Sequence, residues 1–67
     1  MEPYDVGDRL ISGVDAQGMR RGECFEVTAR DEQHVLGMVY ATLTVRSLDD
    51  GRELRIVNAH VLMSRAS

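Results

Sequence analysis

The strongest structural constraint in this sequence is the segment 38–47, in which apolar and polar side chains alternate. The apolar set is Val39, Ala41, Leu43 and Val45, and the set between them is Tyr40, Thr42, Thr44 and Arg46. Successive side chains of a β-strand point to opposite faces, so alternation of this kind predicts a strand with one face buried. Any fold of this chain must therefore cover one side of this strand.

A second strand, 52–57, follows the first after the pair Asp50-Gly51. Asp-Gly is favoured in two-residue type I′ hairpin turns, because both central residues need positive φ. With that turn, three cross-strand pairs follow: Asp49 with Arg52, Ser47 with Leu54 and Val45 with Ile56. The apolar residues of both strands then share a face, which agrees with the alternation.

The remaining short apolar runs are separated by glycine-containing turns, which is typical of strands. We expect strands over 8–14 and 23–30, a loop over 31–37, and a turn from Asn58 into an edge strand carrying Val61 and Met63. A helical turn over the last segment, with Ala59, Leu62 and Met63 inward, remains open. The predicted fold is all-β, a small SH3-like barrel of four to five antiparallel strands. The alternative is an α+β fold, a three-stranded sheet with a short C-terminal helix. The predicted core residues are Leu10, Phe25, Val27, Val39, Leu43, Val45, Leu54 and Ile56.

The chain has 67 residues, enough for a single domain over 1–67, and contains no run of about 20 apolar residues that could span a membrane. Its first eight residues are acidic and polar, unlike a secretory signal, so we expect a cytoplasmic protein without membrane contact. The net charge of −3 disfavours non-specific binding to nucleic acid. All eight basic residues are arginine, which points to GC-rich codons and a bacterial or phage source.

Two segments resemble the opening of SH3-like small barrels of the bacterial KOW and transcription-factor type. They are 7–11, Gly-Asp-Arg-Leu-Ile, and 21–27, Arg-Gly-Glu-Cys-Phe-Glu-Val. Segment 57–61, Val-Asn-Ala-His-Val, is similar to the short turn before the closing strand of such barrels, including the polymerase-interacting domain of CarD-type regulators. Segment 18–23 is similar to part of the SH3-like accessory domains of ferrous-iron transport. The resemblance implies a fold and no particular function, since one fold serves many functions.

Catalytic and metal-binding patterns are weak in this sequence. Cys24 is the sole cysteine and has no nucleophile motif around it, and His34 and His60 lack the spacing of a preorganised metal site. We therefore expect no catalytic residues, no metal and no cofactor. An aromatic binding groove is also poorly supported, because such grooves need several converging aromatic side chains and the chain has only three.

Two features favour binding. The predicted register places Arg46 opposite Arg55 on the outer hairpin face beside Tyr40. Such like-charge pairs are destabilising, and a broken rule of this kind can mark a binding site. The alternative is that Glu53, diagonal to Arg46, bridges the two arginines in solvent. Val35, Leu36 and Met38 form an apolar segment where a polar loop would be expected, as at many protein contacts. The sequence thus favours a non-catalytic adaptor or regulatory module that docks on a protein partner or self-associates. Alternatives are a nucleic-acid-associated barrel using Arg46, Arg55 and Arg30, and an enzyme with a site shared between subunits.

Overall fold

The structure, a computed structural model, describes residues 3–66 and shows in them five β-strands and one short helix. The elements are β1 (Arg9–Ser12), β2 (Cys24–Val35), β3 (Met38–Ser47), β4 (Glu53–Val57), α1 (Ala59–Leu62) and β5 (Met63–Arg65). The strands form one antiparallel sheet in the order β4-β3-β2-β1-β5, which is not closed into a barrel. The predicted mostly β architecture is confirmed, and the C-terminal helix of the α+β alternative is present as well.

The C-terminal segment combines both predicted conformations. Asn58 has a positive φ of 57°, and its carbonyl accepts the Val61 N–H at 2.9 Å, which starts the single turn of α1. Val61 therefore lies in the helix, 70% exposed, and its expected place in a strand is wrong. Met63 begins β5, which pairs with β1, and its side chain is buried.

The core lies against one face of the sheet. The buried residues that the sequence predicted are Leu10, Phe25, Val27, Leu43, Val45 and Ile56, while Leu54 is partly buried and packs against them. Tyr4 from the N-terminal segment, Met19 from the β1–β2 loop, Ala59 from α1 and Met63 from β5 complete the cluster. The Tyr4 hydroxyl donates a buried hydrogen bond to the Met63 carbonyl at 3.0 Å, which ties the N-terminal segment to the last strand.

Val39 was predicted in the core, and this is wrong, because its side chain is 47% exposed. It shares the core-facing side of β3 with Leu43 and Val45. However, β4 ends at Val57, opposite Thr42, and no β4 residue lies beside Val39. The alternating pattern therefore continues past the point where the core ends.

The β3–β4 connection is a five-residue loop, 48–52, rather than the predicted two-residue turn. The Ser47 N–H donates to the Arg52 carbonyl at 2.8 Å. Of Asp50 and Gly51, the two residues predicted to form the turn, only Gly51 has positive φ, 76°. The register consequently shifts by two residues, so that Arg46 lies opposite Glu53 and Arg55 lies opposite Thr44. The predicted Arg46–Arg55 pair is wrong. Because a shift of two keeps every side chain on its face, the predicted buried face is still correct.

Segment 31–37, predicted as a loop, instead continues β2 to Val35 and turns at Leu36 and Gly37. Its polar side chains gave no alternation because neither face is buried there. A β-bulge between Val27 and Ala29 introduces this part of the strand. The strand remains regular beyond the bulge because β3 supplies a backbone partner for each residue, ending with Val35 opposite Met38.

The corrected core makes a testable distinction between two residues on the same side of β3. Leu43→Ala should lower the free energy of unfolding by about 2–5 kcal/mol, since Leu43 is fully buried. Val39→Ala should cost less than about 1 kcal/mol, since half the side chain is already in water. Chemical denaturation of both variants in dilute solution measures the difference, and equal losses would contradict this core.

Candidate functional site

The distal part of the β2–β3 hairpin, residues 31–40, projects from the core and is here called the arm. Every residue of the arm is exposed. The molecule accordingly measures 37 Å along its longest axis and about 20 Å along the other two. A hairpin that leaves its core contributes little apolar burial to folding, so its apolar residues are available for contacts with another molecule.

The arm ends in a two-residue turn at Leu36 and Gly37. Their φ angles are 52° and 78°, and Val35 pairs with Met38 across the turn, which is type I′ geometry. Such turns favour Asn or Gly at the first position, because an ordinary L-residue in the left-handed region costs roughly 1–2 kcal/mol. Leu36 is in addition 98% exposed. The turn thus presents a large apolar side chain to solvent at the expense of local stability.

The bulge in β2 decides which side chains share the outer face of the sheet. Before it, Phe25 and Val27 face the core, whereas beyond it Arg30 lies opposite core-facing Leu43. Val35 therefore lies on the outer face with its neighbour Met38. The predicted site residues that this face brings together are Val35, Met38, Tyr40, Arg46 and Arg55, with Leu36 at the tip. Within this set the Tyr40 hydroxyl contacts the Met38 sulfur at 3.4 Å.

The arginines of the predicted site are close to carboxylates. Arg46 lies across the strands from Glu53, and the Arg55 guanidinium lies 4.0 Å from the Asp31 carboxylate. Arg30 forms an ion pair with Glu32 at 3.0 Å and donates to the Tyr4 carbonyl. The outer face therefore does not present the directly opposed Arg46 and Arg55 that the sequence predicted.

A groove of about 450 Å³ opens where β4 ends beside the arm. Its walls include Tyr40 and Thr42 from β3, Val57 from the end of β4 and His60 from α1. Val57 is 49% exposed and Tyr40 is 50% exposed. Sequence reasoning missed Val57 and His60 as site residues, since their approach to β3 depends on the register and on the turn at Asn58.

A second, polar cleft of about 280 Å³ lies at the opposite end of the sheet and holds an ion pair between the buried Glu23 and the partly exposed Arg52. Glu23 is 8% exposed, accepts a hydrogen bond from the Ser47 hydroxyl at 2.7 Å and pairs with Arg52 at 3.1 Å. Arg52 also donates to the Gly18 carbonyl at 2.9 Å and pairs with Asp50. These contacts join loop 13–23 to loop 48–52, so the cleft is an element of the fold.

The Ser47 hydroxyl is the main cause that lowers the pKa of Glu23 below its ordinary value. The Arg20 backbone N–H and the Arg52 guanidinium lower it further, against the opposing effect of burial. The carboxylate form is therefore favoured by the folded protein. The pKa of Asp50 is lowered in the same way, chiefly by the Arg52 backbone N–H.

Within residues 3–66, no group of three or more His, Cys, Asp or Glu side chains is placed to hold a metal ion. Cys24 is partly exposed and lies at the start of β2, opposite Ile11 of β1. It alternates with Phe25 along β2 and so lies on the face away from the core.

The Glu23 network predicts a pH dependence. Because the folded pKa is lowered, the stabilisation is complete above the unfolded value of about 4.3 and is lost as the pH falls through the folded value. Glu23→Gln should be less stable than wild type at pH 7 by about 1–3 kcal/mol and should lose less stability than wild type between pH 5 and pH 3.

Urea denaturation across this pH range provides the measurement. Glu53→Gln, which removes an exposed carboxylate, controls for the change in net charge and should cost less than about 0.5 kcal/mol at pH 7. The same pH profile in Glu23→Gln and wild type would contradict the assignment to Glu23.

Among the helices in residues 3–66, none is long and apolar enough to cross a membrane. Comparison with known proteins found no matching family model, no matching curated protein and no matching solved structure.

Proposed function

We propose that this protein is a non-catalytic docking module that binds another protein, or its own copy, through the tip and outer face of the arm. The observation that carries the proposal is Leu36, 98% exposed in a left-handed conformation that leucine disfavours. Strained and exposed positions of this kind persist where function requires them. Around this tip, Val35, Met38 and Tyr40 each leave about half of their surface in solvent.

The charge distribution supports a protein partner over nucleic acid. Arg46 and Arg55 each have an acidic residue as a close neighbour, and the net charge of the chain is negative. Nucleic-acid binding depends on unbalanced positive charge that displaces counterions from phosphates. The arm tip by contrast carries no charge between Val35 and Tyr40, which suits an apolar protein contact.

The fold that we propose for this module is a half-closed SH3-like small barrel. In support, β5 returns to pair with β1, and a single helical turn precedes it at segment 57–61, as the resemblance implies. Tyr4 and Met19 cover part of the core that the sheet leaves open. Closure of the barrel would require β4 and β5 to approach each other.

Leu36→Asn tests the proposal because stability and binding should change in opposite directions. Asn is well suited to the first position of a type I′ turn, so the free energy of unfolding should rise by up to about 1 kcal/mol. Binding should weaken because the exposed apolar side chain is lost. Thermal melts measure the first effect. Capture of partners from a bacterial lysate, together with concentration-dependent mass for self-association, measures the second.

Leu48→Asn is the matched control, since Leu48 is also an exposed leucine in a hairpin loop, at the other end of β3. This variant should bind as wild type does. If Leu36→Asn is folded and still captures partners and self-associates as strongly as the wild type, the arm tip is excluded as the docking surface.

A further inference from the structure

In residues 3–66, no strand lies beside the β3 edge of the arm. The last β3–β4 pair is Thr42 with Val57, after which Asn58, with φ 57°, turns the chain into α1. Residues 38–41 therefore have β2 on one side only. An exposed strand edge of this kind is a template on which another strand can pair.

The backbone groups on this edge are identified by the pairing pattern. Val35 and Met38 close a two-residue turn and form a hydrogen-bonded pair, and such pairs alternate along an antiparallel ladder. The N–H and C=O groups of Val39 and Ala41 consequently point away from β2. The Ser47 N–H bond to the Arg52 carbonyl shows the same alternation, since odd-numbered β3 residues bond toward β4.

The other edges of the sheet are protected in ways that the β3 edge is not. The Gln17 side-chain amide bonds both the N–H and the C=O of Val57 on β4, each at 3.2 Å, and Tyr4 bonds the Met63 carbonyl on β5. The β2 edge of the arm begins with the charged residues Asp31 and Glu32. Charged residues on an edge discourage strand pairing, whereas residues 35–45 contain no charge.

We infer that the occupant of this edge is a second copy of this chain, paired antiparallel along β3 to form a twofold dimer. This inference rests on the proposed function and names the partner. An edge of one charge would fit a peptide of the opposite charge, but this edge is uncharged and complementary to itself. With Val39 opposite Val39 of the second copy, Met38 faces Tyr40 in both directions, a favourable sulfur–aromatic contact.

The same register gives Leu36 a place in the interface. Gly37 of each copy lies opposite Ala41 of the other, which brings the Leu36 tip to the groove at the end of the other copy's β4. That groove is lined in part by Thr42, Val57 and His60, and Asn58 keeps it open by turning the chain away. Each copy thus supplies one apolar tip and one groove, as a symmetric interface requires.

Val39→Pro tests this arrangement directly. Proline at this position removes an N–H that points toward the open edge and leaves the hydrogen bonds to β2 intact. It is therefore tolerated on an edge strand, yet it blocks pairing with another chain. By sedimentation equilibrium, the wild-type mass should rise from 7.5 kDa toward twice that value between about 10 µM and about 1 mM, since a short paired interface is weak. Val39→Pro should raise the dissociation constant at least about tenfold.

Glu53→Pro is the matched control, because Glu53 is the first residue of β4 and its N–H also points away from the sheet. This variant should dimerise as wild type does, and both variants should melt as wild type does in dilute solution. If Val39→Pro fails to fold, Val39→Lys replaces it, since two like charges would meet at the twofold axis.

The inference is overturned if the wild-type chain stays monomeric over the whole concentration range. It is also overturned if Val39→Pro, or Val39→Lys when the proline variant does not fold, dimerises as strongly as the wild type. In either case, capture of a different protein that depends on Leu36 but not on Leu48 would leave the proposed function standing with another partner. Loss of both self-association and Leu36-dependent capture would remove the proposed function as well.

Discussion

The pairing of β2 with β3 is the interaction on which the rest of the structure depends. β2 also pairs with β1, and β3 also pairs with β4, so this hairpin is the strand pairing that joins the two halves of the sheet. The bulge between Val27 and Ala29 divides it into two parts. Before the bulge the hairpin faces the core; beyond it, Leu43 opposite Arg30 is the last buried residue of β3, and the arm continues without a core. The same ladder of backbone hydrogen bonds therefore builds both the domain and its most exposed surface.

The buried face could be predicted from the sequence because, on β3 and β4, the face of a side chain depends only on whether its position is odd or even. The register could not be predicted in the same way, since a shift of two residues leaves the apolar pattern intact. The loop settles it through local bonds, with the Asp50 carboxylate accepting the Arg52 N–H and the Ser47 hydroxyl accepting the Asp49 N–H. The sequence did contain one signal for the true register. That register replaces a repulsion between Arg46 and Arg55 with an attraction between Arg46 and Glu53.

The arm could not be predicted from periodicity, since neither of its faces is buried and its strands carry polar residues on both sides. Its turn also lacks the usual residue at Leu36, whereas the favoured pair Asp50-Gly51 occurs in a different kind of loop. The apolar site residues Val35, Leu36 and Met38 were nevertheless identified as out of place in a loop. Their exposure on a projecting hairpin gives that observation its structural meaning. A chain of this size has few apolar residues, and this one leaves several of them outside its core.

The bulge has a consequence for how the molecule opens. Because the arm buries little surface, its backbone hydrogen bonds can break and reform with a free energy smaller than that of unfolding the domain. Hydrogen exchange of its amides would then follow this local equilibrium, while the amides of Phe25 and Val45 follow global unfolding. A partner that pairs with the arm shifts the local opening equilibrium toward the hydrogen-bonded state without contacting the core. Occupancy therefore slows the exchange of the arm amides, and the melting temperature of the domain rises with partner concentration as mass action requires.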